Sequence, residues 1–372
     1  MTQLRLKQID SIDQLRAGAA VWDDLWRRSE VTIPTARAEL VALWLEQFAP
    51  RAVFRGLVVE QGSRPVAALP LVGRRVKGVF AAGDVTWNYW SPNGDLLLDP
   101  AADVDAALDL LAAAVVDLPW PLLWLEMPPV ETARWQALLA AFARRGLETE
   151  VHRRYEIGTV EIAGDFGRYE GRLSKGLRRN VTKELRRLER AGPVELKTYP
   201  RLAPDEVEDH LRRALQIEDR GWKGDAEDSA LRTPGIAEFY SRQARKLAEW
   251  GSLRLTFLEH CGGPIAFELG WTGKGVYHSF KVGYDPAYAR HSPGNLLRLQ
   301  LIRALHEERD CRLLDFQGPL TGALRSWSTG SYPIGRVVVA PRRPGSRALL
   351  AGYRALVPVV RGVRSWTAQS GP

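Results

Sequence analysis

The residues best suited to chemistry follow one another in a single stretch, from Gly275 to Glu308. β-Branched and aromatic residues predict a strand at 276–282, and apolar residues at helical spacing predict a helix that opens at Gly294. The first N–H groups of a helix lack internal partners and lie at the positive end of its dipole, so this junction suits a phosphate group. The loop and helix start provide five candidate phosphate ligands, namely Arg290, His291, Ser292, Gly294 and Asn295.

The same junction is also typical of an ordinary helix start with proline in its first turn. The surrounding residues favour the phosphate site, because K-x-G-Y-D-x-x-Y-x-x-x-S-P-G-x-L-L, from Lys281 to Leu297, resembles the CelD-like group of GNAT-fold acyltransferases. That group is linked to cellulose and exopolysaccharide biosynthesis. The resemblance implies that the loop from Arg290 to Asn295 holds the pyrophosphate of acyl-CoA. The GNAT loop Arg/Gln-x-x-Gly-x-Gly/Ala differs from this one by one residue in spacing.

Two further segments resemble the same family. A basic amphipathic helix predicted at 172–191 opens with S-K-x-x-R-R-N, and E-x-x-x-W-K-G begins at Glu218. The helix also fits a solvated charged face, and the tryptophan also fits packing under a loop. Arg325 stands where the family has a lysine. The substrate-binding residues that the resemblance implies are Lys175, Arg179, Trp222, Lys223, Lys281 and Arg325.

Acyl transfer needs a base for the attacking amine or hydroxyl and an acid for the leaving thiolate. The candidate bases are Asp285, Asp315 and Glu268, and Tyr284 is the candidate acid. Asp285 precedes a proline and therefore also fits a turn former, and loop tyrosines often pack. G-x-S-x-G and H-E-x-x-H are absent from the sequence, and neither cysteines nor histidines have metal-ligand spacing, so we expect no metal.

The predicted fold class is α/β (α+β), with two GNAT-like mixed-sheet halves in tandem. Glu60 precedes Pro65 by the same spacing as Glu259 precedes Pro264, and each pair belongs to a predicted strand–turn–strand unit. A tandem arrangement is seen in Fem-type transferases. We expect an N-terminal half at 1–165, a C-terminal half with the CoA site at 166–340 and a basic amphipathic tail at 341–372.

Composition describes a globular, reduced protein. The 372 residues are 45% hydrophobic and 26% charged, include two cysteines and contain no apolar run of membrane-spanning length. The N-terminal residues lack an apolar signal core, so we expect a cytoplasmic protein. The net charge of +8 resides in 316–372, which has eight arginines and no acidic residue, so nucleic-acid binding by the whole fold is not indicated. The tail helix expected at 344–366 could contact the inner membrane face, pack on the protein or bind a partner.

The sequence therefore predicts an acyl-CoA-dependent N- or O-acyltransferase, with acetyl-CoA as the expected co-substrate. The family resemblance implies a sugar nucleotide or another polysaccharide precursor as acceptor. Two alternatives stay open. One is a Fem-type transferase that uses aminoacyl-tRNA, which the basic helix at 172–191 would suit. The other is a non-catalytic module that docks on a membrane or a synthase.

Overall fold

A computed structural model describes residues 3–76, 78, 80–199, 202–221 and 228–355. The described chain forms two compact units. Unit 1 lies within 1–31, 36–154 and 333–372, and unit 2 lies within 32–35 and 155–332. The chain leaves unit 1 within one long strand and returns to it within another, so unit 1 is discontinuous in sequence.

Unit 1 contains the N-terminal elements. Its helices are α1 Ile12–Ala17, α2 Ala19–Arg28, α3 Ala38–Phe48, α4 Val104–Ala114 and α5 Ala133–Arg144. Its strands are β1 Leu4–Ile9, β2 Phe54–Gln61, β3 Arg64–Val76, β4 Phe80–Val85, β5 Trp87–Asn88, β6 Ser91–Pro92, β7 Leu97–Leu98 and β8 Leu123–Glu126, followed by β9 Glu148–Glu161, which continues into unit 2.

The sheet of unit 1 is mixed. Strands β1, β2, β3 and β4 pair antiparallel in that order, and β4 then meets β8 in parallel at Gly83 and Leu123. Helices α4 and α5 cover one face with an apolar core that includes Leu108, Trp135 and Phe142. Burial of these side chains is the main stabilising contribution of the unit.

Unit 2 contains the predicted site. Its helices are α6 Phe166–Arg172, α7 Lys175–Ala191, α8 Val207–Asp219, α9 Ile236–Glu249, α10 Pro293–Glu308 and α11 Gly322–Arg325. Its further strands are β10 Val194–Tyr199, β11 Leu253–His260, β12 Gly263–Gly273, β13 Val276–Tyr284, β14 Leu313–Pro319 and β15 Gly330–Ala340, the last of which leads back into unit 1. There β15 pairs antiparallel with β8.

The sheet of unit 2 repeats the arrangement of unit 1. Strands β10 to β13 pair antiparallel in chain order, β13 pairs in parallel with β14, and β14 pairs antiparallel with β9. Helices α7 and α10 share a core that includes Val181, Leu188, Leu297 and Ile302. The predicted fold class, α/β with two mixed-sheet halves, is confirmed.

The two predicted hairpins are confirmed in detail. In β2–β3 the register shifts between Val59 and Glu60, and Glu60 lies opposite Pro65. In β11–β12 it shifts one residue before Glu259, which lies opposite Pro264. Each shift is a β-bulge, a feature that re-aims a side chain. The spacing shared by the two segments therefore reflects the same local structure in both units.

The predicted tail helix is described over residues 344–355. Leu350 is fully buried in unit 1, and the ring of Tyr353 packs edge-on against Trp124 at 4.8 Å. Arg354 pairs with Glu148 at 2.9 Å. This part of the tail thus packs on unit 1, and residues 356–366 of the predicted helix lie outside the described chain.

Candidate functional site

The predicted strand, loop and helix are present at the centre of unit 2. β13 ends at Tyr284, a single 3₁₀ segment covers Pro286–His291, and α10 follows from Pro293. Ser292 takes a left-handed conformation (φ 50°, ψ 51°), and its side chain does not cap the helix. Its carbonyl oxygen accepts the N–H of Asn295 at 2.9 Å. Since Pro293 has no N–H, the amide of Gly294 is the first one that lacks an acceptor inside the helix.

The side chains of the loop are connected to α7. Arg290 donates from Nε to Nε2 of His291 at 3.0 Å. Nδ1 of His291 lies 3.2 Å from Oε2 of Glu184, a buried residue of α7. Burial tends to raise the pKa of Glu184, but the bond from His291 and the charges of Arg187 and Lys183 outweigh it and leave the pKa lowered. The loop and the basic helix thus meet through one carboxylate, between residues that are 107 positions apart in sequence.

Two neighbouring strands of unit 2 separate before β13 reaches this loop. β13 and β14 pair in parallel only from Val276–His278 to Leu313–Asp315, although β13 continues to Tyr284 and β14 to Pro319. At the point of separation Nε2 of Gln317 donates to Nδ1 of His278 at 3.0 Å. Burial lowers the pKa of His278 to about 3, so its imidazole is neutral at physiological pH.

Asp315 lies at the same point of separation. Tyr332 donates its hydroxyl to Oδ2 at 2.8 Å, and the N–H of Gln317 donates to Oδ1 at 2.8 Å. Burial raises the pKa of Asp315 although both hydrogen bonds act against the shift. A carboxylate with a raised pKa is better matched to accepting a proton near neutral pH.

Glu268 has a different environment on β12. It is 2% exposed, and its Oε1 has no hydrogen-bond partner among the described residues. Burial raises its pKa, and the nearby Ser279 hydroxyl and the guanidinium of Arg298 on α10 oppose the shift. Arg298 itself lies over the rings of Phe316 and Trp327, at 5.6 and 5.7 Å from their centroids. The structure thus places Glu268 and Asp315 among different neighbours.

The remaining catalytic candidates lie in the loop. Asp285 accepts the N–H of Ala287 at 3.0 Å and pairs with Arg220 at 3.3 Å. It therefore has the turn-forming contacts that a residue before proline favours. Tyr284 is 42% exposed at the start of this loop.

Lys281 is buried rather than displayed on the surface. Its Nζ lies 2.6 Å from Oε1 of Glu218 on α8 and 5.2 Å from the ring centroid of Tyr240 on α9. A buried ion pair of this kind is costly to break, because removing one partner leaves the other charge desolvated. The contact links β13 to the two helices on that side of the sheet.

The other predicted substrate residues lie at the surface or outside the described chain. Lys175 and Arg179 are exposed on the first two turns of α7. Arg325 is exposed and lies 3.8 Å from Glu156. Trp222 and Lys223 fall in 222–227, which lies outside the described residues.

Three residues of this region escaped the sequence analysis, namely Glu184, Glu218 and Arg298. For Glu184 a signal existed, because it is an acid three residues after Val181 and four before Leu188, in the apolar stripe of an otherwise basic helix. Glu218 opens the E-x-x-x-W-K-G motif, but the motif does not indicate an ion-pair partner for it. The sequence contains no comparable signal for Arg298.

Within the described residues, no helix combines the length and apolar character needed to cross a membrane. No group of three or more His, Cys, Asp or Glu side chains in the described chain is arranged to hold a metal ion.

The chain is similar to a known protein family and to several solved structures. Residues 175–325 match the family model described as an acetyltransferase (GNAT) domain. No curated protein matches the chain significantly. Among solved structures, FemX superposes with a TM-score of 0.57 at 8% identity and covers 90% of this chain and 96% of its own. L-PGS from Bacillus licheniformis gives a TM-score of 0.51 at 12% identity, with 92% and 96% coverage.

A third similar structure is the C-terminal domain of a protein assigned as a lysylphosphatidylglycerol synthetase from Agrobacterium fabrum. Its TM-score is 0.53 at 13% identity, with 90% of this chain and 95% of that one covered. At these identities the likeness establishes the fold alone. The family match covers the strand, loop and helix described above. Residues 175–325 match a GNAT acetyltransferase domain, and this match supports an acyltransferase.

Proposed function

We propose that this protein is a cytoplasmic acyl-CoA-dependent N- or O-acyltransferase, with acetyl-CoA as the expected donor. The acceptor that we propose is a polysaccharide precursor or sugar nucleotide, on the strength of the CelD-like motif from Lys281 to Leu297. A reduced compartment agrees with Cys261 and Cys311, which are both free thiols. For the tail, we keep peripheral contact with the inner membrane face as part of the proposal; residues 356–366 of the predicted helix lie outside the described chain.

The observation that carries the proposal is the start of α10. Gly294 offers an amide without an internal acceptor, and Arg290 adds a guanidinium in the loop that leads to it. A Cβ at Gly294 would meet only Cδ1 of Tyr284, at 3.8 Å, so packing within the protein does not require glycine there. Close approach of a ligand to the backbone accounts for it.

The residues of the loop fit a diphosphate group. In our proposal Arg290 and the Gly294 amide hold it, with Ser292, His291 and Asn295 around them. Bound acyl-CoA would supply an activated thioester for transfer to the acceptor. Of the four candidate catalytic residues, we favour Asp315 as the base because it lies where β13 and β14 part and its pKa is raised by burial. Tyr284, which is exposed at the loop, is the candidate proton donor to the thiolate.

A second candidate changes the donor and keeps the fold. The exposed residues of α7 include six cations, namely Lys175, Arg179, Lys183, Arg186, Arg187 and Arg190. Such a surface suits a polyanion, and the similarity to FemX agrees with a Fem-type aminoacyl-tRNA-dependent transferase. The unblocked helix start at Gly294 favours CoA, because a diphosphate can use it fully.

Calorimetric titration of acetyl-CoA and free CoA into the full chain tests the proposal. We expect micromolar binding, about 8 kcal/mol, that Arg290→Ala weakens to a still measurable level and that Gly294→Asp abolishes. Gly171→Asp is the matched control, since a Cβ at this surface glycine of α6 meets nothing within 4 Å. Absence of binding to the folded wild-type protein, together with binding of aminoacyl-tRNA, would overturn the CoA proposal in favour of the Fem-type one.

A further inference from the structure

Glu184 is an unusual residue on α7. It is 4% exposed, although every other charged side chain of this helix is exposed or half-buried. Its Oε1 accepts from Nη1 of Arg187 at 2.8 Å, and Nζ of Lys183 lies 3.8 Å from the same oxygen. These cations keep the carboxylate charged and hydrogen-bonded in its buried position.

The other oxygen of Glu184 determines which nitrogen of His291 carries a proton. Nε2 of His291 accepts from Nε–H of Arg290, so this nitrogen must present its lone pair. The proton of a neutral imidazole then resides on Nδ1, which faces Oε2 of Glu184 at 3.2 Å. A carboxylate accepts that proton well, so Glu184 selects the tautomer that can hold Arg290.

We propose that Glu184 is a positioning residue for the acyl donor, which acts through His291 to orient the guanidinium of Arg290 toward the phosphate groups. The inference rests on the proposed CoA-dependent function. Only Nε of Arg290 is bonded to His291, and its two terminal nitrogens have no partner among the described residues. Those two nitrogens provide the paired donors that a phosphate accepts.

The arrangement explains why an acid lies within a basic helix. Without Glu184, the imidazole is free to carry its proton on Nε2, where it opposes the N–H of Arg290 instead of accepting it. The guanidinium then loses its fixed orientation, and part of the binding free energy is spent on ordering it. Glu184 contacts no reacting atom, so its loss should affect donor binding and leave the chemical step unchanged.

A double-mutant cycle on the full chain tests the inference. We expect Glu184→Ala to raise the Kd for free CoA about 10-fold, as for one misplaced charge-assisted hydrogen bond. The same substitution in an Arg290→Ala background should have no further effect, because the residue through which it acts is already gone. Glu184→Gln should retain binding within about threefold, since its amide oxygen still accepts from Nδ1.

Nitrogen-15 NMR of the His291 side chain provides a readout that a merely structural role would not change. Wild type and Glu184→Gln should show the Nδ1–H tautomer, and Glu184→Ala should show the Nε2–H tautomer. Glu189→Ala is the matched control, an exposed acid on the same helix, and should match wild type. Additive effects in the cycle, or an unchanged tautomer in Glu184→Ala, would overturn this inference alone. Wild-type protein that binds no CoA would overturn it together with the proposed function.

Discussion

The two units share a hairpin design but differ at the helix that follows. In unit 1, α4 begins after Asp103, whose carboxylate accepts the N–H of Ala106 at 3.1 Å. In unit 2, α10 begins after Ser292, whose side chain caps nothing. A carboxylate at the N-cap already occupies the free N–H groups and the positive end of the helix dipole, where an anionic ligand would bind. The comparison shows how one scaffold can support structure in one copy and receive an anion in the other.

The parallel strand pairs of the two units, β4 with β8 and β13 with β14, also differ in the charged residues that they carry. In unit 1, β4 meets β8 only at Gly83, and the next residue, Asp84, bridges the strands by accepting the N–H of Glu126 at 2.8 Å. Asp84 also pairs with Arg74 at 2.5 Å. In unit 2 the corresponding strand carries a buried cation, Lys281, which pairs with α8 instead of the neighbouring parallel strand. Asp84 thus connects β4 to β8, whereas Lys281 connects β13 to a helix.

Breaking the buried Lys281–Glu218 ion pair in unit 2 should have the largest effect on the free energy of unfolding. Lys281→Met should destabilise the protein by about 3–5 kcal/mol, because it leaves the carboxylate of Glu218 buried without its ammonium partner. Chemical denaturation of the wild type and the variant measures the loss. The double variant Lys281→Met/Glu218→Gln should recover much of it. A loss below about 1 kcal/mol would show that Lys281 is held for substrate binding rather than for stability.

The buried carboxyl group of Asp84 in unit 1 should make the stability of the protein depend on pH. Burial raises the pKa of Asp84 from 3.8 to about 7, against the opposing effects of Arg74 and the Glu126 N–H. The folded protein thus keeps a proton that the unfolded chain releases. Stability from this group is fully present below about pH 4 and is lost as the pH rises toward 7, by up to about 1.4 kcal/mol per pH unit.

Asp84→Asn removes that titration, so the stability of the wild type relative to this variant should fall between about pH 4 and pH 7. Denaturation midpoints of both proteins at several pH values provide the measurement. A difference that stays constant over this range would mean that Asp84 is ionised throughout and that Arg74 dominates its environment.

The helix cap in unit 1 gives the smallest expected effect. Asp103→Ala should cost about 1 kcal/mol, the usual loss for an N-cap side chain. Because unit 1 lacks an arginine at its loop, opening this helix start should create no second donor site, and calorimetry should still show one CoA per chain. Asp105→Ala, in the first turn of the same helix, is the control and should change stability less. Two bound CoA molecules in Asp103→Ala would contradict our assignment of the donor to unit 2.

Local patterns made the elements of the site predictable. The strand at 276–282, the helix from Gly294 and the glycine-turn hairpins depend on side-chain periodicity and turn residues that act within a few positions of one another. The prediction of two similar halves came from the spacing of Glu60 and Glu259, and both residues lie at corresponding bulges. Assignment to the GNAT acyltransferases required only the motif around the loop, and residues 175–325 confirm it.

The partners of charged residues were not predictable in this way. Lys281 is a predicted substrate-binding residue, and its partner within the protein is Glu218, 63 residues away. Glu184 and His291 are 107 residues apart, and no spacing rule connects them. Each pairing depends on which strand and helix faces meet once the core is packed, because a charge is buried only where its counter-charge is delivered.

The sequence by itself determined the elements and the donor loop, since helix starts, turns and strand faces follow from local propensity and periodicity. Only the tertiary structure decided that the segment beginning near residue 333 returns to unit 1 and that β13 and β14 part after Asp315. It also decided that Asp84 connects β4 to β8 in unit 1. These features depend on long-range packing, in which residues far apart in the chain compete for the same buried space.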